Sequence, residues 1–308
     1  MNRLLILAVM SSPGWASGLP KPSAQPGQVR FTASLLKDTV RIGEPLLVTC
    51  VLKNPTADTQ YIPATVPVQT FDLGSAHYSL LDSQGRSFWQ KAYQAIDGTI
   101  LSSRCVPVAP GDSVYWHDLV SLDHYYVADT GPTKWFTQSP GSFRLVVAVS
   151  LPEYAAGDPF PKRGFSFADT LPFSMVLDSV LSSRIKPYSE VLSHGLWSLF
   201  FTVRQPMDSF VMLLTPRPVE FDVTYPYLEY LIPHALSQVK GRSSEAIPEA
   251  RHFTESHQGH PLSEEMAFDM WEFLRRSGFR ASQDSLAQVL LKTYPRNTRV
   301  RRLQQSPR

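Results

Sequence analysis

The sequence predicts a mainly β plus α protein, in which an antiparallel β-sandwich is followed by a small α-helical domain. Short alternating apolar segments, separated by Pro and Gly, extend from Val29 to about Arg204. Helical periodicity replaces them after Pro206. Pro, with 26 residues, outnumbers Gly, with 16, which favours strand edges and turns over long regular helices. A length of 308 residues allows about two domains.

The first 28 residues are predicted to lie outside both domains. Met1–Arg3 is short and basic, and the apolar run Leu4–Met10 that follows is too short to span a bilayer. Small residues around Ala16 favour signal-peptidase cleavage after it. We therefore expect a signal peptide over 1–16, a linker over 17–28, and an exported mature chain without a transmembrane segment, located in the periplasm or outside the cell.

Residues 29–204 carry the pattern of strands that bury one face. The clearest segment places Leu145, Val147 and Val149 on one side. A turn from Asp82 to Gly85 joins two other segments as a hairpin. The predicted strands are 29–36, 44–54, 77–81, 86–89, 112–120 and 142–150, with a last strand at 198–204 that follows a long insertion at 153–187.

Short motifs stand near the openings of three predicted strands. They are Ile42-Gly43-Glu44-Pro45-Leu46, Ala109-Pro110-Gly111-Asp112-Ser113 and Ser139-Pro140-Gly141-Ser142-Phe143-Arg144. With these motifs, the region from about Val29 to Arg204 resembles bacterial exported immunoglobulin-like domains. The resemblance implies an immunoglobulin-like β-sandwich over 29–204. It implies little about function, because such a fold carries many unrelated activities.

Helical stretches are predicted after Pro206, over 225–239, 243–256, 262–277 and 283–293. Short connections, two of them at Gly241 and Gly278, pair these stretches into two hairpins over 205–295. The spacing of the glycines resembles degenerate tetratricopeptide repeats, whose unit is about 34 residues. Two such units fall short of the number usually needed to stand alone, so we expect the hairpins to pack on the sandwich or on a partner.

The sequence contains two cysteines, Cys50 and Cys105. Cys50 belongs to an alternating apolar series with Leu46, Val48 and Leu52, so it is expected to point into a core. In an oxidising compartment, a disulfide between the two is the simplest expectation, and its loop closure would stabilise the fold by about 4 kcal/mol. Two buried free thiols are the alternative.

The formal net charge of +2 hides an uneven distribution. Without Arg3 and the six basic residues that follow Asp284, 22 of the 29 basic residues remain against 27 acidic ones, a net charge of −5. Because the positive charge is gathered at one end, we expect no nucleic-acid binding. Residues 296–308 are interpreted as a solvated basic tail. The alternative is contact with anionic polymers through Arg299, Arg301 and Arg302.

The densest titratable group is His252, Glu255, His257, His260, Glu264 and Glu265. His252 and Glu255, three residues apart, share a helix face on which metal ligands could converge. The spacing His-x-x-Glu-x-His nevertheless matches neither of the common zinc-protease patterns. The group is interpreted as a polar helix end, and a metal site at His252, His257 and His260 is the alternative.

Aromatic residues crowd into the 22 positions from Tyr115 to Phe136. The candidates for ligand contact are Tyr115, Trp116, Tyr125, Tyr126 and Trp135. Exposed rings of this kind stack on sugars or peptides. The alternative interpretation places Trp116 in the sandwich core and the other rings over a loop.

No catalytic residue and no cofactor is predicted, because the sequence lacks a nucleophile-elbow motif, a phosphate-binding glycine loop and a defensible acid–base pair. We expect a non-catalytic exported binding or assembly module with a protein partner in the bacterial envelope. The first alternative is a carbohydrate-binding or carbohydrate-acting protein that uses the aromatic residues of 115–136. The second is a metal-dependent hydrolase.

Overall fold

The computed structural model describes residues 29–63, 76–90, 105–122, 125–127, 134–135, 137–153, 163–185, 226–239 and 241–305. The signal peptide and linker predicted for residues 1–28 lie outside these ranges, as does the strand predicted at 198–204.

Strands dominate the described chain up to residue 176. They are β1 (Arg30–Leu35), β2 (Thr39–Arg41), β3 (Leu46–Lys53), β4 (Gln60–Pro63), β5 (Ala76–Asp82), β6 (Ser87–Gln90), β7 (Cys105–Val108), β8 (Ser113–Val120), β9 (Tyr125–Val127), β10 (Lys134–Trp135), β11 (Gly141–Glu153) and β12 (Arg163–Val176). A small sheet has the order β1-β3-β8, and a large sheet has the order β10-β9-β6-β5-β11-β12-β2. β4 and β7 pair with each other in a separate ladder.

The small and large sheets share one apolar core. On β3, the alternate residues Leu46, Val48, Cys50 and Leu52 are all fully buried, as the sequence predicted. Trp116 of β8 is also fully buried and stacks on Phe31 of β1 with 6.3 Å between ring centroids. The large sheet contributes Leu80, Leu145, Val147, Val149, Leu171 and Phe173 to the same core. Full burial of one such aliphatic side chain contributes about 2 kcal/mol relative to exposure.

The first two strands belong to different sheets. β1 pairs with β3 in the small sheet, whereas β2 pairs in parallel with the end of β12 in the large sheet. Asp169 of β12 ties the two sheets together at this side, because its Oδ2 accepts a 2.9 Å hydrogen bond from the amide of Ala33 in β1. A backbone amide at a sheet edge is thereby satisfied.

The predicted hairpin of β5 and β6 is confirmed. Asp82 Oδ1 accepts hydrogen bonds of 2.9 and 2.8 Å from the amides of Gln84 and Arg86. Gly85 has a φ of 78°, a conformation that is costly for residues with a Cβ. The turn residues in the sequence therefore predicted the β5–β6 hairpin correctly.

The structure corrects the insertion predicted at 153–187. Within that range, β12 pairs with β11 along 13 residue positions and is a full member of the large sheet. Its inward residues Leu171, Phe173 and Met175 are buried. A short helix, α1 (Ser179–Ile185), follows it. The apolar alternation of β12 is interrupted by Asp169, and Pro172 removes a backbone donor, which is why the pattern did not predict a strand.

Helices make up the described chain from Tyr227 onward. They are α2 (Tyr227–Gln238), α3 (Ala246–Ser256), α4 (Pro261–Arg276), α5 (Arg280–Thr293) and α6 (Thr298–Gln305). The first four agree with the four predicted stretches, whereas α6 lies in the predicted tail. In the described part of the chain, every helix falls short of the length and apolar character that a bilayer span requires.

The helices pack on the outward face of the small sheet. One apolar cluster joins Leu228 of α2, Phe253 of α3 and Met266 of α4 with Leu47 of β3 and Leu119 of β8. A second cluster joins α4, α5 and α6 around Phe268, Leu290 and Val300. Packing on the sheets was one of the two outcomes expected for the hairpins, and the structure confirms it.

Candidate functional site

Polar side chains meet in the contact between the small sheet and the helices. β8 alternates along its length, so its inward positions enter the core while Tyr115 and His117 face the helices. Two glutamates and an aspartate of α4 lie on the same side of the sheet. Residues just before α6 and within it complete the group. We call this group the polar joint, and its members are Thr49, Tyr115, His117, Glu264, Glu265, Asp269, Asn297 and Arg299.

Glu264 is the link between α4 and the small sheet. Its Oε1 accepts hydrogen bonds from the Tyr115 hydroxyl at 2.8 Å and from Asn297 Nδ2 at 2.6 Å. Its Oε2 lies 3.6 Å from His117 Nε2. The other ring nitrogen of His117, Nδ1, lies 2.9 Å from the hydroxyl of Thr49 on β3. The Glu264 carboxylate thus contacts side chains of β8 and of the segment before α6.

Arg299 is the link between α6 and α4. Its guanidinium donates to Glu265 Oε2 at 2.8 Å and to Asp269 Oδ1 at 2.6 Å, and it lies 5.2 Å from the ring centroid of Phe268. The Arg299 side chain is 17% exposed, and the two carboxylate side chains are 8% and 12% exposed. Ion pairs this deeply placed are strongly destabilising when one partner is removed.

The two carboxylates bound to Arg299 differ in their acidity. Burial by itself raises the pKa of Asp269, but the charges of Arg299 and His234 outweigh burial and hold that pKa well below its ordinary value. Burial also raises the pKa of Glu265, and there Arg299 and His117 compensate only in part, so the pKa stays raised. Glu265 Oε1 is buried without a hydrogen-bond partner, which agrees with incomplete compensation.

Asp269 also receives groups from α2. The hydroxyl of Tyr230 donates to its Oδ2 at 3.1 Å. His234 Nε2 lies 3.2 Å from the same oxygen but is not aligned for a hydrogen bond. Burial, followed by the charges of Asp269 and Glu265, raises the pKa of Tyr230 well above its ordinary value, so this hydroxyl remains a donor. The joint therefore extends from β8 through α4 to α2.

Glu44 makes a second polar link between sheets and helices. This glutamate belongs to the Gly-Glu-Pro motif and is 1% exposed. It accepts hydrogen bonds from Lys37 Nζ at 2.9 Å and from the Arg41 amide at 3.0 Å. The hydroxyl of Tyr227, the first residue of α2, lies 3.4 Å from it. The motif therefore anchors the crossing between β1 and β2 and also meets the helices.

The three candidate metal-binding histidines are not brought together at one point. His257 Nε2 lies 2.8 Å from Glu229 Oε2, and His252 Nε2 lies 3.5 Å from the other oxygen of Glu229. His260 instead caps α4, because its Nδ1 accepts a 3.2 Å hydrogen bond from the amide of Leu262. Among the described residues, no group of three or more His, Cys, Asp or Glu side chains is arranged to hold a metal ion.

The candidate aromatic residues separate into two groups. Trp116 is fully buried in the core, with its Nε1 donating to Asp118 at 2.9 Å, and Tyr115 is engaged with Glu264. Neither ring is therefore an exposed ligand contact, because the alternation of β8 directs one ring into each of two buried interfaces. The backbones of Tyr125 and Tyr126 in β9 and of Trp135 in β10 lie at the edge of the large sheet.

Cys50 is a free and fully buried thiol, and the structure shows no bridge at this residue. It stands between Ala33 and Trp116 in the small sheet, whereas Cys105 opens β7 in the separate β4–β7 ladder. Burial raises the pKa of the Cys50 thiol above its ordinary value. Cys50 therefore behaves as a small apolar group of the core, as the alternative of buried free thiols expects of this residue.

The solvated basic tail expected at 296–308 is corrected over its described part. Asn297 is fully buried, and its Oδ1 accepts a 2.7 Å hydrogen bond from the Arg299 amide at the start of α6. Val300 is fully buried in the cluster with Phe268. Since Arg299 is paired with two carboxylates, it is not free to contact an anionic polymer. Arg296, 63% exposed, lies 3.3 Å from Asp112.

An open groove of about 410 Å³ lies across one end of the large sheet. Thr39 of β2, Ser174 of β12 and Ser142 of β11 are consecutive partners in register, so three hydroxyl-bearing residues form one row of its lining. Asp38 and Arg144 also line it. Hydroxyl, carboxylate and guanidinium groups together suit a ligand that makes many hydrogen bonds.

The joint residues Thr49, Asp269 and Asn297 were not predicted from the sequence. Asn297 had a usable signal, because Asn precedes an amphipathic segment in which Val300 and Leu303 lie three residues apart. The charged groups of the joint are paired with one another. The arrangement therefore holds sheet and helices together and can bind or release protons.

The sequence matches no protein-family model and no curated protein. Among solved structures, the chain is similar to a β-glucosidase from Listeria innocua in complex with isofagomine, with 14% identity and a TM-score of 0.23 over 48% of this chain and 16% of that one. It is similar to an alkylpurine DNA glycosylase from Pseudomonas fluorescens bound to DNA containing an abasic site analog, with 12% identity and a TM-score of 0.23 over 48% of this chain and 30% of that one.

A Northeast Structural Genomics Consortium target is also similar, with 7% identity and a TM-score of 0.24 over 48% of this chain and 85% of that one. The chain thus spans less than a third of the length of the two named enzymes. Similarities at these TM-scores do not indicate a fold or an activity for this chain.

Proposed function

We propose that this protein is a non-catalytic exported binding or assembly module of the bacterial envelope. Its two parts would be an immunoglobulin-like sandwich and tetratricopeptide-like helical hairpins clamped to one face of it. Two sheets around one core, with β1 and β2 in different sheets, support the first part. Consecutive packing of α2, α3, α4 and α5 supports the second.

The observation that carries the proposal is the exposure of apolar side chains on α5. Leu290 is the buried residue of this helix. Its neighbour Val289 is 55% exposed, and Phe279, the N-cap residue, is 49% exposed. We take these two positions as the ones that a protein partner would cover, because helix recognition buries apolar side chains of this kind. The joint ties α4 to α6, and α5 packs on both, so the joint would hold α5 in place before a partner binds.

Site-specific cross-linking tests this proposal. A photoreactive amino acid at the exposed Ser285 of α5 should trap one discrete envelope protein in the source bacterium. Val289→Asp should abolish the cross-link because it places a charge in the contact, whereas Gln288→Asp, the same change at the preceding exposed position, should leave it in place. A cross-link that survives Val289→Asp, or no discrete product at all, contradicts the proposal.

A glycan-binding module is the second candidate, and the register of the large sheet favours it. Trp89 of β6, Tyr126 of β9 and Trp135 of β10 are successive partners across three neighbouring strands. Aromatic residues in one row can form a platform for sugar rings. The hydroxyl-lined groove at the end of the same sheet offers hydrogen bonds of the kind that sugars require.

A glycan array with the mature chain tests this second candidate and separates the two surfaces. Loss of signal in a Tyr126→Ala/Trp135→Ala variant, with signal retained in Tyr125→Ala from the neighbouring row, would assign binding to the aromatic row. Loss only in Thr39→Ala/Ser174→Ala would assign it to the groove. Absence of any signal from the unmodified chain would reject the candidate.

A further inference from the structure

Two histidines approach the contact between sheet and helices from opposite sides. His117 belongs to β8, and its side chain is 8% exposed. His260 stands directly before α4 and is its N-cap residue. Both are held by specific contacts, and those contacts impose opposite requirements on the two rings.

The contacts of His117 suit a protonated ring. Nε2 faces the carboxylate of Glu264 at 3.6 Å, and Nδ1 lies 2.9 Å from the Thr49 hydroxyl, which can accept a hydrogen bond. With a proton on each nitrogen, the ring donates toward both groups and forms an ion pair with Glu264. Loss of one proton removes the charge and one donor.

The contact of His260 suits an unprotonated ring. Its Nδ1 accepts a hydrogen bond from the amide of Leu262, and an accepting nitrogen cannot carry a proton. Protonation would remove the cap and leave that amide without its acceptor. It would also place a positive charge at the N-terminus of a helix, where the macrodipole is positive.

The charged surroundings reinforce this opposition. His117 is surrounded by acidic groups, Glu264 and Glu265 of α4 and Asp118 of its own strand. His260 is surrounded by basic groups, namely His257 at the end of α3, Lys37 after β1 and His117 of β8. A proton is therefore attracted to the first ring and repelled from the second.

The pKa values of the two histidine rings agree with these contacts. Burial by itself lowers the pKa of His117, but the nearby carboxylates of Glu264 and Glu265 outweigh it, so the pKa lies above the ordinary 6.5. Burial and the neighbouring basic groups lower the pKa of His260 to about 4.

We propose that the contact between sheet and helices is a proton-dependent clamp, closed when His117 carries a proton and His260 does not, and loosened both by acid and by alkali. His117 has a raised pKa, so its stabilisation is complete below pH 6.5 and is lost as the pH rises through that pKa. His260 has a lowered pKa, so its stabilisation is complete above pH 6.5 and is lost as the pH falls toward 4. The clamp is therefore tightest near pH 6.5.

Hydrogen exchange of the full chain between pH 4 and pH 8 tests the clamp, after correction for intrinsic exchange. His260 should contribute an acid limb, in which protection of the β8 and α4 amides falls by roughly tens-fold between pH 6.5 and pH 4.5, and His117 should contribute an alkaline limb above pH 6.5. Each limb is read from the difference between the unmodified chain and the matching variant, because Asp118 and Glu265 have raised pKa values and add stabilisation over the same acidic range. His260→Asn keeps a capping acceptor without a titrating ring and should remove the acid limb. His117→Gln should remove the alkaline limb. His252→Gln, at a side chain that is 51% exposed, should change neither limb.

The same pH dependence of protection in the unmodified chain and in the two variants would overturn the proposal. A measurement on the unmodified chain makes the test independent of whether the variants fold. In the NMR titration of the histidine rings, His117 should titrate above pH 6.5 and His260 near pH 4. His117 titrating below 6.5, or His260 at or above it, would also overturn the proposal.

Discussion

The two faces of β8 bury their polar groups by different means. Inside the core, Asp118 accepts hydrogen bonds from two neutral donors, the hydroxyl of Tyr78 and Nε1 of Trp116. On the outward face, Asp269 and Glu265 are compensated by the formal charge of Arg299. The comparison concerns carboxylates that are similarly hidden from water, since Asp118 is 6% exposed and the side chain of Asp269 is 12% exposed.

The pKa values of Asp118 and Asp269 differ accordingly. Burial raises the pKa of Asp118 to about 6, because hydrogen bonds from Tyr78 and Trp116 offset only part of the desolvation. At Asp269, Arg299 and His234 outweigh burial and move the pKa in the opposite direction. Neutral donors therefore leave Asp118 with a raised pKa, whereas the cation lowers the pKa of Asp269 but does not fully offset burial at Glu265. The core should tolerate loss of its charge, and the joint should not.

The largest expected effect comes from removing the cation of the joint. Arg299→Met keeps the length of the side chain but leaves Glu265 and Asp269 without their charged partner. We expect a loss of about 3 kcal/mol in the free energy of unfolding at pH 7, measured by urea denaturation. Arg275→Met, which breaks an exposed pair with Glu272, should cost less than about 1 kcal/mol. Equal effects of the two substitutions would contradict the distinction between buried and exposed pairs.

The sequence predicted the core face of β8 better than its outward face. Of the two interpretations of Trp116, a ligand contact or a core residue, the second is confirmed, as apolar alternation indicates. Tyr115, one residue away, was interpreted as an exposed ligand contact or as a ring over a loop, and neither interpretation placed it against the helices. The residues around Tyr115 do not distinguish a polar strand face that meets water from one that a helix covers. The partner of Tyr115, Glu264, lies 149 positions later in the chain. The limit is physical, since the covering element is distant in sequence.

Two other elements illustrate the same limit. β12 was missed because Asp169 occupies an inward position, where it bonds to the Ala33 amide across the gap between the sheets. α6 was missed because its arginines suggested a solvated tail, and the partners of Arg299 lie 30 and 34 residues earlier, on α4. In each case a single charged residue has a long-range function that its neighbours in sequence do not reveal.

The next effect concerns the core side of the comparison and has a defined sign with pH. Because the pKa of Asp118 is raised to about 6 in the fold from an ordinary 3.8, the native state binds its proton more tightly than the unfolded state. Stabilisation is therefore present below pH 3.8 and lost as the pH rises through 6, a change of about 3 kcal/mol. Asp118→Asn should remove this loss and be more stable than the unmodified chain at pH 7.

Unfolding free energies at pH 4 and pH 7 check this prediction, with Asp82→Asn as the matched control. Hydrogen bonds from Arg86 and Gln84 outweigh burial and lower the pKa of Asp82, so its stabilisation is lost as the pH falls. The two substitutions should therefore change the pH dependence with opposite signs. The same sign for both would contradict the assignment of Asp118 to a core compensated by neutral donors.

The smallest expected effect tests whether the joint depends on neutral contacts as well as on charge. Thr49→Val preserves the shape of the side chain and removes the hydroxyl that lies 2.9 Å from His117 Nδ1. We expect a loss of about 1 kcal/mol in the free energy of unfolding at pH 6, because a partly buried hydrogen bond is lost without a cavity. Thr32→Val at an exposed position of β1 should change it by less than about 0.5 kcal/mol. If the Thr49 hydroxyl accepts from the protonated ring, Thr49→Val should also lower the pKa of His117 in an NMR titration; an unchanged pKa would mean that Glu264 and its neighbouring carboxylates alone hold the proton.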